Sequence, residues 1–390
     1  MRRNSSIKIS PCNLWRIVVL LLFIKPGCVE DIPILDTLFN IGRLGLSAMY
    51  VVRVLNKKMR RDYLTFCCMC LIILGSTIIN SGSIAKFVAH FLPAMGLLSY
   101  MFLHKKDVLT ILETLQNVCW ILMIANIISF FLFPEGMLYR ESDQLKIWLL
   151  GQKQDLPGIV IPILFVSIVL EEKGKSKKFI MTYFLSILTV LLEKSIAALA
   201  CVCFFGLMCC ADYWFHVKEK KGRLLVALGS ALVALRYLSL NFKNMNWLNK
   251  MLLNLNTGPV TKVRTLNVRF SMWEYAWSKF LQSPIIGAGE ISEKVWVREM
   301  GYYHSIVDNM YMDILMWGGG AAILLFMYAI IKSFVLIGKS SRTPHYRYLN
   351  YLLFALCLYI CTGSPFAPMV FLVLLSSVWL PYCNVEKIYE

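Results

Sequence analysis

MYMDILMWGGGAAILLFMYAIIKSFV, residues 310–335, is a largely apolar stretch of 26 residues. That exceeds the roughly 20 residues a helix needs to cross the hydrocarbon core of a bilayer. Working outward from it, eleven further apolar stretches read the same way: 14–29, 32–52, 63–81, 84–103, 111–133, 157–170, 179–192, 195–215, 223–240, 348–361 and 367–383. The chain is therefore expected to be all-α, a polytopic transmembrane helix bundle of about 12 spans with a large outer loop carrying amphipathic helices. The sixth, seventh and eleventh stretches are short and borrow flanking residues. Composition agrees, since 58% hydrophobic residues and a mean hydropathy of +0.63 exceed what one globular core absorbs.

The formal charge of +17 could point to nucleic acid, so the placement of the basic residues decides its meaning. They lie in short runs between apolar stretches. Keeping Lys and Arg on the cytoplasmic side puts Arg2, Arg3, Lys8 and Arg16 inside, then Lys57, Lys58, Arg60 and Arg61, then Lys105 and Lys106. The runs EEKGKSKK (171–178) and VKEKKGR (217–223) follow on the same side, with Lys339, Arg342 and Arg347. By this orientation 24 of the 40 basic residues are inside and both termini are cytoplasmic; the excess charge is topological and implies no nucleic acid. The N-terminal MRRNSSIKISPCNLWRIVVLLLFIKPG begins as a secretory signal does, but no small-residue cleavage site follows, so it is read as an uncleaved first span. Of the thirteen cysteines, Cys67, Cys68, Cys70, Cys201, Cys203, Cys209 and Cys210 fall within expected helices, where Cys acts as a small apolar residue.

This divides the chain into nine N-terminal helices (1–240), a large extracytoplasmic loop (241–309) and three C-terminal helices (310–390). Outer segments of unusual length are where function tends to lie. The first such segment is PEGMLYRESDQLKIWLLGQKQDL (134–156). The large loop holds NWLNKMLLNL (246–255), with Leu248, Met251, Leu252 and Leu255 on one helical face, and RFSMWEYAWSKFL (269–281), with Phe270, Trp273, Trp277 and Phe280 on one face. Both read as interfacial helices, since tryptophan suits the membrane–water boundary. TGP (257–259) and SPIIGAG (283–289) carry turn chemistry.

No phosphate-cradling glycine loop ending in Lys-Ser or Lys-Thr occurs, and neither HExxH nor paired CxxC motifs do, so ATP-driven pumping and a zinc site have no sequence support. What remains is a group of cations on the outer side, Lys153, Arg236, Arg264, Arg269 and His304, with Glu290 and Asp308 nearby in sequence. Such a group suits a phosphate-bearing substrate at headgroup depth, because arginine presents several donors in a fixed fork. Against this stands the ordinary alternative that outer cations simply face water or lipid headgroups. Arg43 and Arg236 fall within expected spans, where a charge usually faces the bundle interior or snorkels. Arg43 has the alternative of an ion pair with Glu113 or Asp36. Ser305 is expected to cap the helix that begins SIVDNMYMDIL, with Asp308 reaching back, which places His304 at a helix N-terminus where anions are attracted.

Arg269, Trp273, Pro284, Gly287, Gly289, His304, Asn309 and Gly318, in this order and in the large outer loop, resemble the C-terminal signature of bacterial O-antigen and capsular polysaccharide repeat-unit polymerases, which are related to O-antigen ligases. IPILDTLFNIGRL (32–44) and IWLLGQKQDLPG (147–158) also look like segments of this family, with Gln154 where Asn is expected. The resemblance implies a metal-independent membrane glycosyltransferase of the inner membrane that moves a growing glycan from an undecaprenyl-diphosphate carrier to the next lipid-linked oligosaccharide, with no cofactor. It implies that Arg269 and Arg264 bind the diphosphate; from the outer polar group, Lys153, Arg236 and Asp308 are expected as further substrate contacts. His304, or else Asp308 or Glu290, would take the acceptor's proton. A flippase and a chain-length regulator are the implied partner proteins. Three other readings stay open: the related ligase, a flippase or other secondary transporter, and a sensor or scaffold.

Overall fold

The computed structural model describes residues 11–57, 59–140, 145–153, 155–215, 261–301, 306–339, 344–361, 363 and 365–387. Among these, thirteen α-helices make up nearly all of the regular structure. They are α1 (Pro11–Ile24), α2 (Pro33–Leu55), α3 (Arg61–Ile79), α4 (Ile84–Leu103), α5 (Val108–Leu132), α6 (Pro157–Glu172), α7 (Phe179–Leu192), α8 (Ile196–Phe215), α9 (Thr261–Gln282), α10 (Glu293–Met300), α11 (Met310–Lys339), α12 (Pro344–Tyr359) and α13 (Pro368–Leu374). Six of them, α2, α3, α4, α5, α8 and α11, are long and apolar enough to cross a membrane, and Asn13–Ile24 and Phe179–Leu192 are shorter apolar helices. The protein is an all-α membrane protein with one exception. In the outer segment, β1 (Leu138–Arg140) pairs antiparallel with β2 (Leu145–Ile147), a hairpin the apolar pattern did not announce.

Helix α6 sits at the centre. Every residue from Pro157 to Leu170 is buried by protein, and α5, α7, α12 and α13 pack around it. Because this helix never meets lipid, its 16 residues need not match the bilayer thickness, which explains the short sixth stretch. A buried polar chain ties it to its neighbours. Gln116 Nε2 of α5 donates to Ser167 Oγ of α6 at 2.8 Å, Ser167 lies 3.1 Å from Thr182 Oγ1 of α7, and Trp120 Nε1 donates to that same hydroxyl at 2.9 Å. Short hydroxyl side chains of this kind let helices approach closely while giving the interface specific partners.

The last expected span, 367–383, is corrected by the structure. It is not one helix: α13 ends at Leu374, and 3-10 turns follow at Ser376–Val378 and Leu380–Lys387. The cause is visible in the hydrogen bonds. Ser333 Oγ of α11 donates to the Leu374 carbonyl at 2.9 Å and accepts from Ser377 N at 3.1 Å, so a side chain from another helix enters the ladder. Trp379 Nε1 takes the Leu372 carbonyl at 2.7 Å, and Pro381 has no N–H to continue a helix. The ninth stretch, 223–240, and the NWLNKMLLNL segment lie outside the described residues.

Arg43 does not pair directly with Asp36 or Glu113 in the contacts around it. Its Nη2 donates to Asn40 Oδ1 at 3.3 Å, and Asn40 Nδ2 donates to Asp36 Oδ2 at 3.0 Å, while Lys25 Nζ holds Asp36 Oδ1 at 2.7 Å. The arginine thus reaches Asp36 through an amide, because the two lie seven residues apart on α2 with Asn40 between them.

Candidate functional site

Helix α9 carries Arg269, whose Nε lies 3.0 Å from Asp308 Oδ2. One turn on, Trp273 Nε1 donates to the Val307 carbonyl at 2.8 Å, so two side chains of one helix face clasp the loop that leads into α11. Asp308 adopts a left-handed φ of 54°. The arginine pairing is monodentate and does not use Nη1 or Nη2. The expected part of Asp308 in capping α11 is corrected here, and Ser305 lies outside the described residues. The helix starts at Met310, Asn309 Oδ1 accepts from Met312 N at 3.2 Å as the N-cap, and Val307 N is taken by the buried Asp313 at 3.0 Å. Asp308 is therefore left to orient Arg269.

Helix α11 is broken in the middle. Gly319 has φ 64° and ψ −162°, a conformation only glycine adopts readily, and the ladder opens there. The segment 283–289 fills the gap. Ala288 N and Gly289 N donate to the carbonyls of Met316 and Trp317 at 2.7 and 2.9 Å, while Gly320 N and Ala321 N donate to Pro284 and Ile285 carbonyls at 2.8 and 3.1 Å. A helix interrupted inside a membrane protein must have its freed groups satisfied by other protein, and here a second backbone does so. The close approach explains the glycines. A Cβ on Gly287 would stand 2.5 Å from Gly319 N, and one on Gly289 would stand 2.5 Å from Thr77 Cα. Ser76 Oγ of α3 completes the wedge by donating to the Gly287 carbonyl at 2.8 Å. SPIIGAG is thus more than a turn: it is a loop inserted beside a transmembrane helix.

Lys153 is exposed on the first outer segment (134–156), beside a closely bonded turn. Trp148 and Gly151 exchange both backbone hydrogen bonds at 3.0 Å, Gln152 N donates to Asp155 Oδ2 at 2.9 Å, and the Lys153 carbonyl accepts from Ser195 Oγ at 2.7 Å. Beneath it, Asn126 receives Leu150 N on Oδ1 at 2.8 Å and donates Nδ2 to Glu193 Oε1 at 2.6 Å. Tyr359 at the end of α12 feels the charges of Asp155, Asp308 and Arg269, so this segment and the arginine pair share one end of the bundle.

Burial pushes the Glu193 carboxyl up from its ordinary 4.5 to about 7, with the Asn126 hydrogen bond opposing the shift and Asp155 adding to it. A raised folded value means the contribution to stability is full below the unfolded value and is lost as pH rises through about 7. Glu193→Gln stays neutral and can still accept from Asn126. It is expected to melt with wild type in acid and at a higher temperature than wild type above about pH 8, read by thermal unfolding of the purified chain.

Of the residues singled out from sequence, Arg269 and Asp308 are in direct contact and Lys153 joins their end of the bundle through the Asp155 segment. Arg264 lies on α9, with its side chain outside the described residues, as are Arg236 and His304. The apolar face expected at Phe270, Trp273, Trp277 and Phe280 is only half right. Phe270 is buried and Trp273 packs on the core, but Met272 and Ala276 are the buried residues of the next turns, and Trp277 and Phe280 contact each other with tilted rings 4.9 Å apart. The helix wedges between protein and surface, so two of its faces are used. Asn126 and Glu193 were missed. An amide inside the fifth stretch and an acid just past the seventh were the signals available for them.

Residues 181–327 match the family model described as O-antigen ligase. The matched stretch contains Arg269, Trp273, Pro284, Gly287, Gly289, Asn309 and Gly318, the residues that build the clasp and the wedge. Within this membrane protein, that stretch is similar to the O-antigen ligase family. A comparison with curated proteins gave no match.

Proposed function

We propose that this protein is a membrane glycosyltransferase of the bacterial inner membrane that polymerises undecaprenyl-diphosphate-linked repeat units into O-antigen or capsular polysaccharide. The observation that carries the reading is the Arg269–Asp308 pair, held at the start of α11 within the family-matched stretch. Asp308 and Trp273 fix the arginine's direction, and its two terminal amino groups have the geometry to grip two phosphate oxygens. In the transfer, an acceptor hydroxyl oxygen bonds to the anomeric carbon as the sugar–phosphate bond breaks. The electron pair leaves with the lipid diphosphate, and the hydroxyl proton passes to a base, for which His304 is the candidate. Arg269 stabilises the charge gathering on the leaving diphosphate, with Arg264, Arg236 and Lys153 as further phosphate or sugar contacts.

Ligase-type transfer uses the same donor and breaks the same bond, and the matched family's description favours it as the second reading. Deleting the gene in its host and restoring wild type, Arg269→Ala or His304→Ala tests both, with surface glycan sized on a gel and membrane abundance checked. Loss of the long ladder with single units still attached is the polymerase outcome. Loss of all attached glycan with lipid-linked polymer accumulating on the outer face is the ligase outcome. Lipid-linked units trapped inside would sink both and favour a flippase.

A further inference from the structure

Behind the inserted loop a fully buried carboxylate meets a partly exposed imidazole, a pair that the transfer chemistry above does not use. Glu290 directly follows SPIIGAG, is 0% exposed, and has its Oε1 3.2 Å from His90 Nδ1 of α4. Its backbone is pinned as well: Glu290 N donates to Thr77 Oγ1 at 2.9 Å and its carbonyl accepts from Ser83 N at 2.7 Å. The imidazole packs against two rings, its centroid 5.6 Å from Trp317 and 5.0 Å from Phe366, which also touch each other. Trp317 is the residue whose carbonyl accepts from Gly289, so the histidine touches both the wedge and the helix it opens. Lys86, one turn before His90, donates to the Ile291 carbonyl at 3.2 Å.

A carboxylate with no solvent and no well-formed hydrogen bond to either oxygen among the described residues cannot carry an isolated charge cheaply. Two arrangements avoid that cost, imidazolium beside carboxylate or neutral imidazole beside carboxylic acid, and both contain one proton. Removing that proton strands a buried anion with Lys86 as the nearest compensation, whereas adding another leaves an imidazolium that is partly exposed and faces two aromatic rings, which tolerate a cation. We propose that His90 and Glu290 share one proton and act as positioning residues, locking 284–290 into the break of α11 and thereby fixing α9, which runs directly into this loop and carries Arg269. The functional part of this assignment rests on the reading of Arg269 as the donor-binding residue; the lock itself does not.

The groups that bear on the pair's titration are His90 and Lys86 on α4, with Glu293 on α10 facing Lys86. From α3 it meets Thr77 and from α11 Trp317, neither of which titrates in this range. Burial raises the Glu290 carboxyl, opposed by His90 and Lys86. A raised value means that the lock is strongest in acid and is lost as pH rises through it.

The test uses the full chain in lipid nanodiscs, with hydrogen–deuterium exchange of the peptide spanning 283–292 and, separately, the pH profile of glycan transfer. His90→Ala should speed exchange at Ala288 and Gly289 by about ten- to hundredfold, the range expected when a buried polar group loses its partner. Glu290→Gln in the His90→Ala background should restore protection, which filling a cavity would not do. Glu290→Gln alone should keep protection and remove the alkaline decline in transfer. Unchanged exchange in His90→Ala, or an alkaline limb that persists in Glu290→Gln, would overturn the lock. If exchange responds as expected while no variant, wild type included, transfers glycan, the lock stands and the glycosyltransferase reading falls. If exchange does not respond but Arg269→Ala abolishes transfer, the reverse holds.

Discussion

Arg269→Ala, assayed with a lipid-diphosphate donor in nanodiscs, will lower turnover by about 100- to 1000-fold, the loss seen when one preorganised group is taken from a developing oxyanion. The thermal stability of the chain should hardly move. The arginine side chain is 31% exposed and Asp308 17%, so solvent screens their pair and its removal costs no more than about 1 kcal/mol. Arg269→Lys is the sharper variant. Lysine keeps the charge but has a single nitrogen, which cannot bond Asp308 and also present two parallel donors to phosphate oxygens. It should therefore fall much closer to alanine than to wild type. Near-normal turnover in Arg269→Lys would mean that charge alone suffices and that the clasp with Asp308 has another purpose.

The second large effect concerns folding. Gly319→Ala should destabilise the chain by about 3 kcal/mol or more, because φ 64° with ψ −162° lies in a region that alanine enters only under strain. The added Cβ would also strike the backbone of Ile285, part of the wedge. Relief requires either closing the helix, which strands the four loop-to-helix backbone bonds, or expelling the loop. A lowered melting temperature with faster exchange at Ala288 and Gly289 is the expected result. Gly45→Ala in α2, where nothing lies within 4 Å of the added carbon, serves as the control and should be neutral or stabilising by up to about 1 kcal/mol. Equal melting of the two variants would show that the break in α11 is not required by the fold.

The first effect traces to a residue named by the sequence signature and the second to Gly319, the neighbour of its Gly318, yet the signature did not say what either does. Arg269, Trp273 and Asn309 were recognisable by type and order. That Trp273 would bond Val307, that Asn309 would cap α11, and that Asp308 would turn from capping to orienting the arginine depended on where α9 docks. The glycines of SPIIGAG and of 318–320 read as turn and span residues, because nothing local marks a loop and a helix 30 residues apart as backbone partners.

Hydrophobic patterning by itself determined that this chain is an α-helical membrane protein, since apolar stretches of that length have no other solvent and a backbone in lipid must satisfy its own hydrogen bonds. Local propensity also placed most helix positions and the amphipathic segment that became α9. Only the tertiary structure decided that α6 is buried on all sides, that 367–383 breaks after Leu374, and that α11 opens to admit a loop. It likewise decided that His90, an unremarked position inside a span, meets Glu290 across 200 residues of chain. These are contacts between distant segments, and a pattern with periods of a few residues records which face of a helix is apolar but not which segment will cover it.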